Sequence, residues 1–94
     1  MTRAFEEAIR LIKRFEGCKL KAYKCPAGKW TIGWGETKGV KQGMEWTQEY
    51  ADDVLARRVT EFANGVLQAC PVLKKYPMRL AACTSLAYNI GLAA

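Results

Sequence analysis

From Arg3 to Glu16 the apolar residues recur at helical spacing, and one residue breaks the pattern. Placed on a wheel at about 100° per residue with Phe5 as zero, Phe5, Ala8, Ile9, Leu11, Ile12 and Phe15 fall on one arc. Glu6, Glu7, Arg10, Lys13 and Arg14 fall on the opposite arc, as expected of a helix with one buried face. Glu16 joins neither group as its chemistry would dictate. It lies at about 20°, between Phe5 and Ile9, inside the apolar stripe. A carboxylate there is costly to keep ionised, so its pKa is expected to rise and its proton to be available near neutral pH. That is the property a general acid needs. The competing reading is a helix-end glutamate whose side chain bends out to solvent.

Thr2 is the expected N-cap of this first helix, and Gly17 closes it. Leu20 to Lys24 and Lys29 to Trp34 read as two short strands joined by Cys25-Pro26-Ala27-Gly28, a turn-like tetrad. Gly33 and Gly35 bracket Trp34, which points to backbone bending or the close approach of a ligand. Gly39 and Gly43 punctuate a loop or a third short strand around Val40. Thr47 is the next N-cap, for a long helix from about Gln48 to Leu67 with Ala51, Val54, Leu55, Val59, Phe62 and Val66 on its apolar face. Arg58 is the one charge on that face. Pro71 and Pro77 break the chain, and a last helix is expected from about Met78 to Asn89. The order helix, small antiparallel sheet, long helix, helix is an α+β layout. It divides a single 94-residue domain into a first helix and β-lobe over 1–46, a connecting helix over 47–69 and the start of a helical lobe over 70–94.

The net charge of +6 suits an acidic partner: nucleic acid, anionic lipid or anionic cell wall. No lysine-arginine block exceeds two residues and no RNA-binding or zinc-finger signature is present, so nucleic-acid binding has nothing beyond charge to support it. No apolar run is long enough to span a bilayer. Glu6, Glu7 and Arg10 stand where the apolar core of a signal peptide would be, so a cytosolic origin without an N-terminal anchor is expected. Cys18, Cys25, Cys70 and Cys83 include no Cys-x-x-Cys pair and histidine is absent, so neither a metal nor another cofactor is expected. The thiols are read as free, with Cys83 packed as a small apolar residue of the last helix.

Glu16 is followed after eight residues by Cys25 and after five more by Thr31. Around them run Leu11-Ile12-Lys13-Arg14-Phe15-Glu16-Gly17, Ala22-Tyr23-Lys24-Cys25-Pro26-Ala27-Gly28 and Trp30-Thr31-Ile32-Gly33-Trp34-Gly35, with Leu86-Ala87-Tyr88-Asn89-Ile90-Gly91 further on. In this spacing and these strings the chain resembles the phage-type lysozymes, the endolysin family. The resemblance implies a lysozyme-like α+β fold and hydrolysis of the β-1,4 bond between N-acetylmuramic acid and N-acetylglucosamine in peptidoglycan. It assigns Glu16 as general acid and Thr31 as the residue that holds a water or orients the substrate.

Cys25 stands where family members carry aspartate or cysteine. As a neutral thiol it could only help place a water; as a thiolate it could act as base, electrostatic stabiliser or nucleophile. The expected course is inverting, with Thr31 placing the water. Asn89 is a candidate ligand of a sugar acetamido group or an ordinary residue near a helix end. Trp34 is a candidate sugar-stacking ring or a packed core aromatic.

One position departs from the family. Where its members often have histidine after the second glycine, this chain has Glu36. The partner position in the long helix aligns with Arg58, so a charge-swapped pair tying hairpin to helix is expected; the alternative is two solvated side chains. The family also implies waiting in the host bacterial cytoplasm and release to the periplasm and wall through a holin pore. Its members continue past the position of Ala94, so the last helix, apolar at Leu80, Ala81, Leu86 and Ala87, is expected to lack part of its cover. The 94-residue chain alone is then expected to be weakly lytic or inactive, to self-associate through that helix, or to survive as a wall-binding remnant without turnover.

Overall fold

The computed structural model describes residues 2–93. Helix α1 spans Thr2–Phe15, strands β1 and β2 span Lys19–Lys24 and Trp30–Gly33, helix α2 spans Gln48–Ala69, and helix α3 spans Pro77–Ala93. A short 3-10 helix, Pro71–Lys75, turns the chain between α2 and α3. The N-cap expectation at Thr2 concerns a side chain outside the described residues. At Thr47 the side chain accepts a hydrogen bond from the Tyr50 amide at 3.1 Å, which satisfies one of the open donors of α2's first turn. Pro77 opens α3 rather than merely breaking the chain: its missing N–H costs nothing at a first helical position.

The three helices share one core, in which Ala8 and Ile12 of α1 meet Leu55 and Val59 of α2 and Ala81 and Tyr88 of α3. On α2 the buried residues are Ala51, Leu55, Val59 and Ala63. Val54, Phe62 and Val66, expected on the same face, are only partly buried. Small residues occupy much of this seam, which lets the helices approach closely.

β1 and β2 form an antiparallel hairpin pairing Lys19 with Gly33, Tyr23 with Thr31 and Lys24 with Trp30, with a register irregularity between Lys19 and Tyr23. The Cys25–Gly28 turn closes with a hydrogen bond from the Gly28 amide to the Cys25 carbonyl at 2.8 Å. β2 is the covered strand: Thr31, Ile32 and Gly33 are buried, whereas β1 is mostly exposed. The extra pairing lies not at Val40 but at Glu45, which bridges Lys21. The Ala22 amide donates to Met44 and the Trp46 amide to Leu20, at 2.9 and 2.8 Å. Two turns, around Gly39 and around Gly43, leave Val40 without a strand partner, and only the residues after Gly43 run beside β1.

Three expectations are corrected. Phe15, placed on the buried arc, is 75% exposed, since it ends the helix where the core has run out. Cys83 is exposed rather than packed. The last helix does not stop before Gly91 but continues to Ala93. Gly91 is a packing glycine: a Cβ there would stand 2.7 Å from the Phe62 ring. Leu86 and Ile90 on α3 are each 60% exposed, and Met78 is exposed too, so this helix carries an uncovered apolar face.

Candidate active site

Glu16 follows α1 directly, its backbone amide still bonded to the Ile12 carbonyl at 2.8 Å, so the helix fixes where its side chain starts. The carboxyl is half-buried, and that burial raises its pKa above the ordinary value because the ionised form loses solvation. Its charge also reaches Tyr88 in α3. That phenol is pushed well above its usual range, by burial first and then by the Glu36 and Glu16 carboxylates.

Cys25 and Thr31 come together at the turn end of the hairpin. The Cys25 thiol is held below its ordinary pKa, chiefly by a hydrogen bond from the Lys29 backbone. Partial burial opposes this, while the Ala27 backbone and the Thr31 hydroxyl favour the thiolate. Thr31 is buried, and its hydroxyl also lies 3.1 Å from the Lys29 carbonyl. The tight turn that gives Cys25 its backbone donors is thus the element that tunes it.

The next turn places Glu36. Gly33 and Gly35 adopt φ of 64° and 93°, conformations that a side chain would strain, and the backbone doubles back so that Ile32 and Glu36 exchange both hydrogen bonds at 2.9 Å. This folds Glu36 inward against α2. There Arg58 meets it bidentately, Nε donating to Oε2 at 3.0 Å and Nη2 to Oε1 at 2.7 Å. Arg58 also donates to Glu61 at 3.0 Å, and these carboxylates raise its pKa further.

Trp34 is partly buried, with its indole N–H donating to Asp52 Oδ1 at 2.8 Å and the Lys13 ammonium 5.1 Å from its ring centre. The Tyr88 hydroxyl donates to the Trp34 carbonyl at 2.6 Å. Asn89 lies inside α3, half-buried, and its Oδ1 is buried without a hydrogen-bond partner among the described residues. A buried acceptor in this state has room for a hydrogen-bond donor.

Asp52 is the residue that sequence reasoning missed. Its Oδ1 accepts from Trp34 and from Gln48 Nε2 at 3.0 Å, and Lys13 Nζ stands 3.9 Å away. These contacts join the helix that bears Glu16 to the turn after β2 and the start of α2. The Gln48–Asp52 spacing of four within a helix was the available signal. Tyr88 was equally unmarked, because an aromatic inside an apolar run carries no polar signature. Among the described residues no group of three or more His, Cys, Asp or Glu could hold a metal ion, and no helix is long and apolar enough to cross a membrane.

A first helix, a small antiparallel hairpin and two further helices, in that order, make an α+β architecture that solved lysozyme-type structures share. The active form of P1 phage endolysin Lyz superposes with a TM-score of 0.76 at 31% identity, over 94% of this chain and 49% of that one. The muramidase domain of SpmX from Asticaccaulis excentricus gives 0.73 at 30% identity, over 93% and 58%. An endolysin of Acyrthosiphon pisum secondary endosymbiont phage 1 is 39% identical over 92 residues, 95% of this chain and 60% of that protein. The phage lysozyme family profile matches residues 13–94, and the chain belongs to that family. It spans about three fifths or less of the length of these relatives.

Proposed function

We propose that the chain is the catalytic part of a bacteriolytic glycosidase that hydrolyses the β-1,4 bond between N-acetylmuramic acid and N-acetylglucosamine. The observation that carries this reading is the half-buried Glu16 carboxyl with its raised pKa, at the end of α1 in a phage lysozyme family member. Protonated Glu16 donates its proton to the glycosidic oxygen as the bond to the anomeric carbon breaks. Thr31 and Cys25 hold a water on the other face of the sugar. As that water attacks with inversion, the Cys25 thiolate, favoured by the hairpin turn, takes the proton it loses. Asn89 Oδ1 accepts from a sugar acetamido N–H. Trp34 forms part of the sugar-facing wall, anchored by Asp52 rather than free to swing.

The protein acts on peptidoglycan after leaving the host bacterial cytoplasm through a holin pore, a route that rests on the family likeness. Self-association through α3 belongs to the same reading, since Leu86 and Ile90 leave an apolar face open.

Purified peptidoglycan incubated with the protein and with its Glu16→Gln variant tests the proposal. The expected result is release of muropeptides ending in reducing N-acetylmuramic acid by the first alone. Equal release by both removes Glu16 as the acid. Firm wall binding without release by either makes the chain a binding remnant instead.

A further inference from the structure

A cavity of about 240 Å³ lies between the loop after β2 and one stripe of α2, and none of Glu16, Cys25, Thr31, Trp34 or Asn89 lines it. Tyr50, Val54, Arg57 and Glu61 fall at spacings of four, three and four, so they share one face of α2 and form one wall. The opposite side is Lys38 and Trp46. Trp46 is seated there because position 33 has no side chain: a Cβ on Gly33 would come within 2.8 Å of its ring. Its ring meets Tyr50 edge-on, with centroids 4.9 Å apart, and Tyr50 stays 47% exposed. The lining is therefore a pair of aromatic rings held by neighbours, open to solvent on one side.

The charges in this cavity divide into spent and unspent. Arg58 is bound to both Glu36 and Glu61, so one guanidinium is shared by two carboxylates and the trio keeps one negative charge. Among the described residues neither Lys38 nor Arg57 has a carboxylate partner; the Arg57 guanidinium sits 6.0 Å from the Tyr50 ring centre. Stacked on that ring, the guanidinium is oriented but keeps its N–H groups for another acceptor. What the cavity offers is an aromatic face flanked by two cations without a direct ion-pair partner, in a lining whose net charge is positive. A sugar ring presents C–H faces that suit the first, and a carboxylate or phosphate on it suits the second. The volume has room for about one such ring rather than a chain.

We propose that the Trp46–Tyr50 cavity is an accessory binding site for an anionic sugar, separate from the cleft of Glu16. The sugar face lies on Tyr50 and Trp46, and the anion takes Arg57 and Lys38. Such a site adds a second point of attachment to an anionic glycan or wall polymer. It does not depend on hydrolysis, and it can fail while the glycosidase reading stands.

The test is an NMR titration of the Glu16→Gln protein, with the three tryptophan indole N–H signals as reporters. The probes are N-acetylmuramic acid, N-acetylglucosamine 6-phosphate, neutral N-acetylglucosamine and inorganic phosphate. The expected result is saturable movement of the Trp46 indole with either charged sugar, weaker by about tenfold in Arg57→Gln and in Lys38→Gln, as loss of one charge-assisted contact predicts. Which charged sugar binds more tightly tells a carboxylate source from a phosphate one. Three results would each overturn the proposal. These are a still Trp46 while Trp30 or Trp34 moves, equal binding of neutral sugar, and inorganic phosphate matching the charged sugars. Arg57 and Lys38 project from the surface, so both variants should keep the wild-type far-UV spectrum; if either loses it, Tyr50→Phe and Tyr50→Ala replace it, with the phenyl ring retaining binding and alanine losing it.

Discussion

Glu36→Gln removes one charge from the ion pair between the hairpin turn and α2 while keeping the side chain's size. The pair is well buried on one side only: the Glu36 side chain is 5% exposed and that of Arg58 is 24%. Breaking a fully buried pair by deleting one partner costs about 3–5 kcal/mol, because the other charge is left without compensation. Here Arg58 keeps its bond to Glu61 and some contact with water, and glutamine still accepts one hydrogen bond. The expected loss is therefore about 2–3 kcal/mol. For a domain of this size each kcal/mol moves the melting temperature by about 4–8 °C, so a fall of roughly 10–20 °C should follow.

Thermal unfolding followed by far-UV circular dichroism measures it, at low and at high salt. A buried pair should be little screened by salt, so the fall should persist in both. The companion is a double-mutant cycle. Arg58→Met alone strands the Glu36 carboxylate and should cost more than Glu36→Leu and Arg58→Met combined, since two apolar side chains leave no orphaned charge. If Glu36→Gln melts within about 2 °C of wild type, or if the two single losses simply add, the pair is not what ties the turn to α2.

Gly91→Ala should destabilise by about 1–3 kcal/mol despite alanine's better helix propensity, because the new methyl meets the Phe62 ring; a raised melting temperature would show that the contact relaxes freely. The Glu16 carboxyl should titrate above the ordinary glutamate range by carbon-detected NMR, and hydrolysis should fall as pH rises through that value, since the acid must be protonated. The same raised pKa means the folded state holds this proton more tightly than the unfolded chain does. Its contribution to stability is complete below the ordinary pKa and is lost as pH climbs through the raised one. A Glu16 that titrates at or below the usual value contradicts both statements. Cys25 should alkylate with iodoacetamide along a pH curve shifted to lower pH than a free thiol's, and Thr31→Val should move that curve upward by removing one donor to the thiolate. Mass-spectrometric mapping of labelled peptides reads it, and an unmoved curve separates Thr31 from Cys25.

Periodicity carried the helices and the hairpin because each is decided locally. The Thr47 cap and the Cys25–Gly28 turn lie within a few residues of what they control. Glu16 was legible for the same reason: its misfit is a matter of angle on one helix. Arg58 stood out as a charge on an apolar face, and Glu36 is where that charge is met. Events decided across the chain were hidden. Phe15 is exposed because neighbouring elements end before reaching it, which no wheel displays. The last helix was expected to end near Asn89, but it runs on through Gly91, whose role depends on Phe62, 29 positions away in sequence. Asp52 gave no comparable signal, because two of its partners arrive from α1 and from the turn after β2.

Asp52 joins three elements of the fold through one side chain. Trp34, Gln48 and Lys13 all converge on a single oxygen, Oδ1, so one carboxylate links the helix leading to Glu16, the turn after β2 and the first turns of α2. With the Glu36–Arg58 pair, this gives the turn after β2 two separate polar fastenings to α2. The hairpin that bears Cys25 and Thr31 is thereby held in register with the acid's helix by side chains as well as by the core.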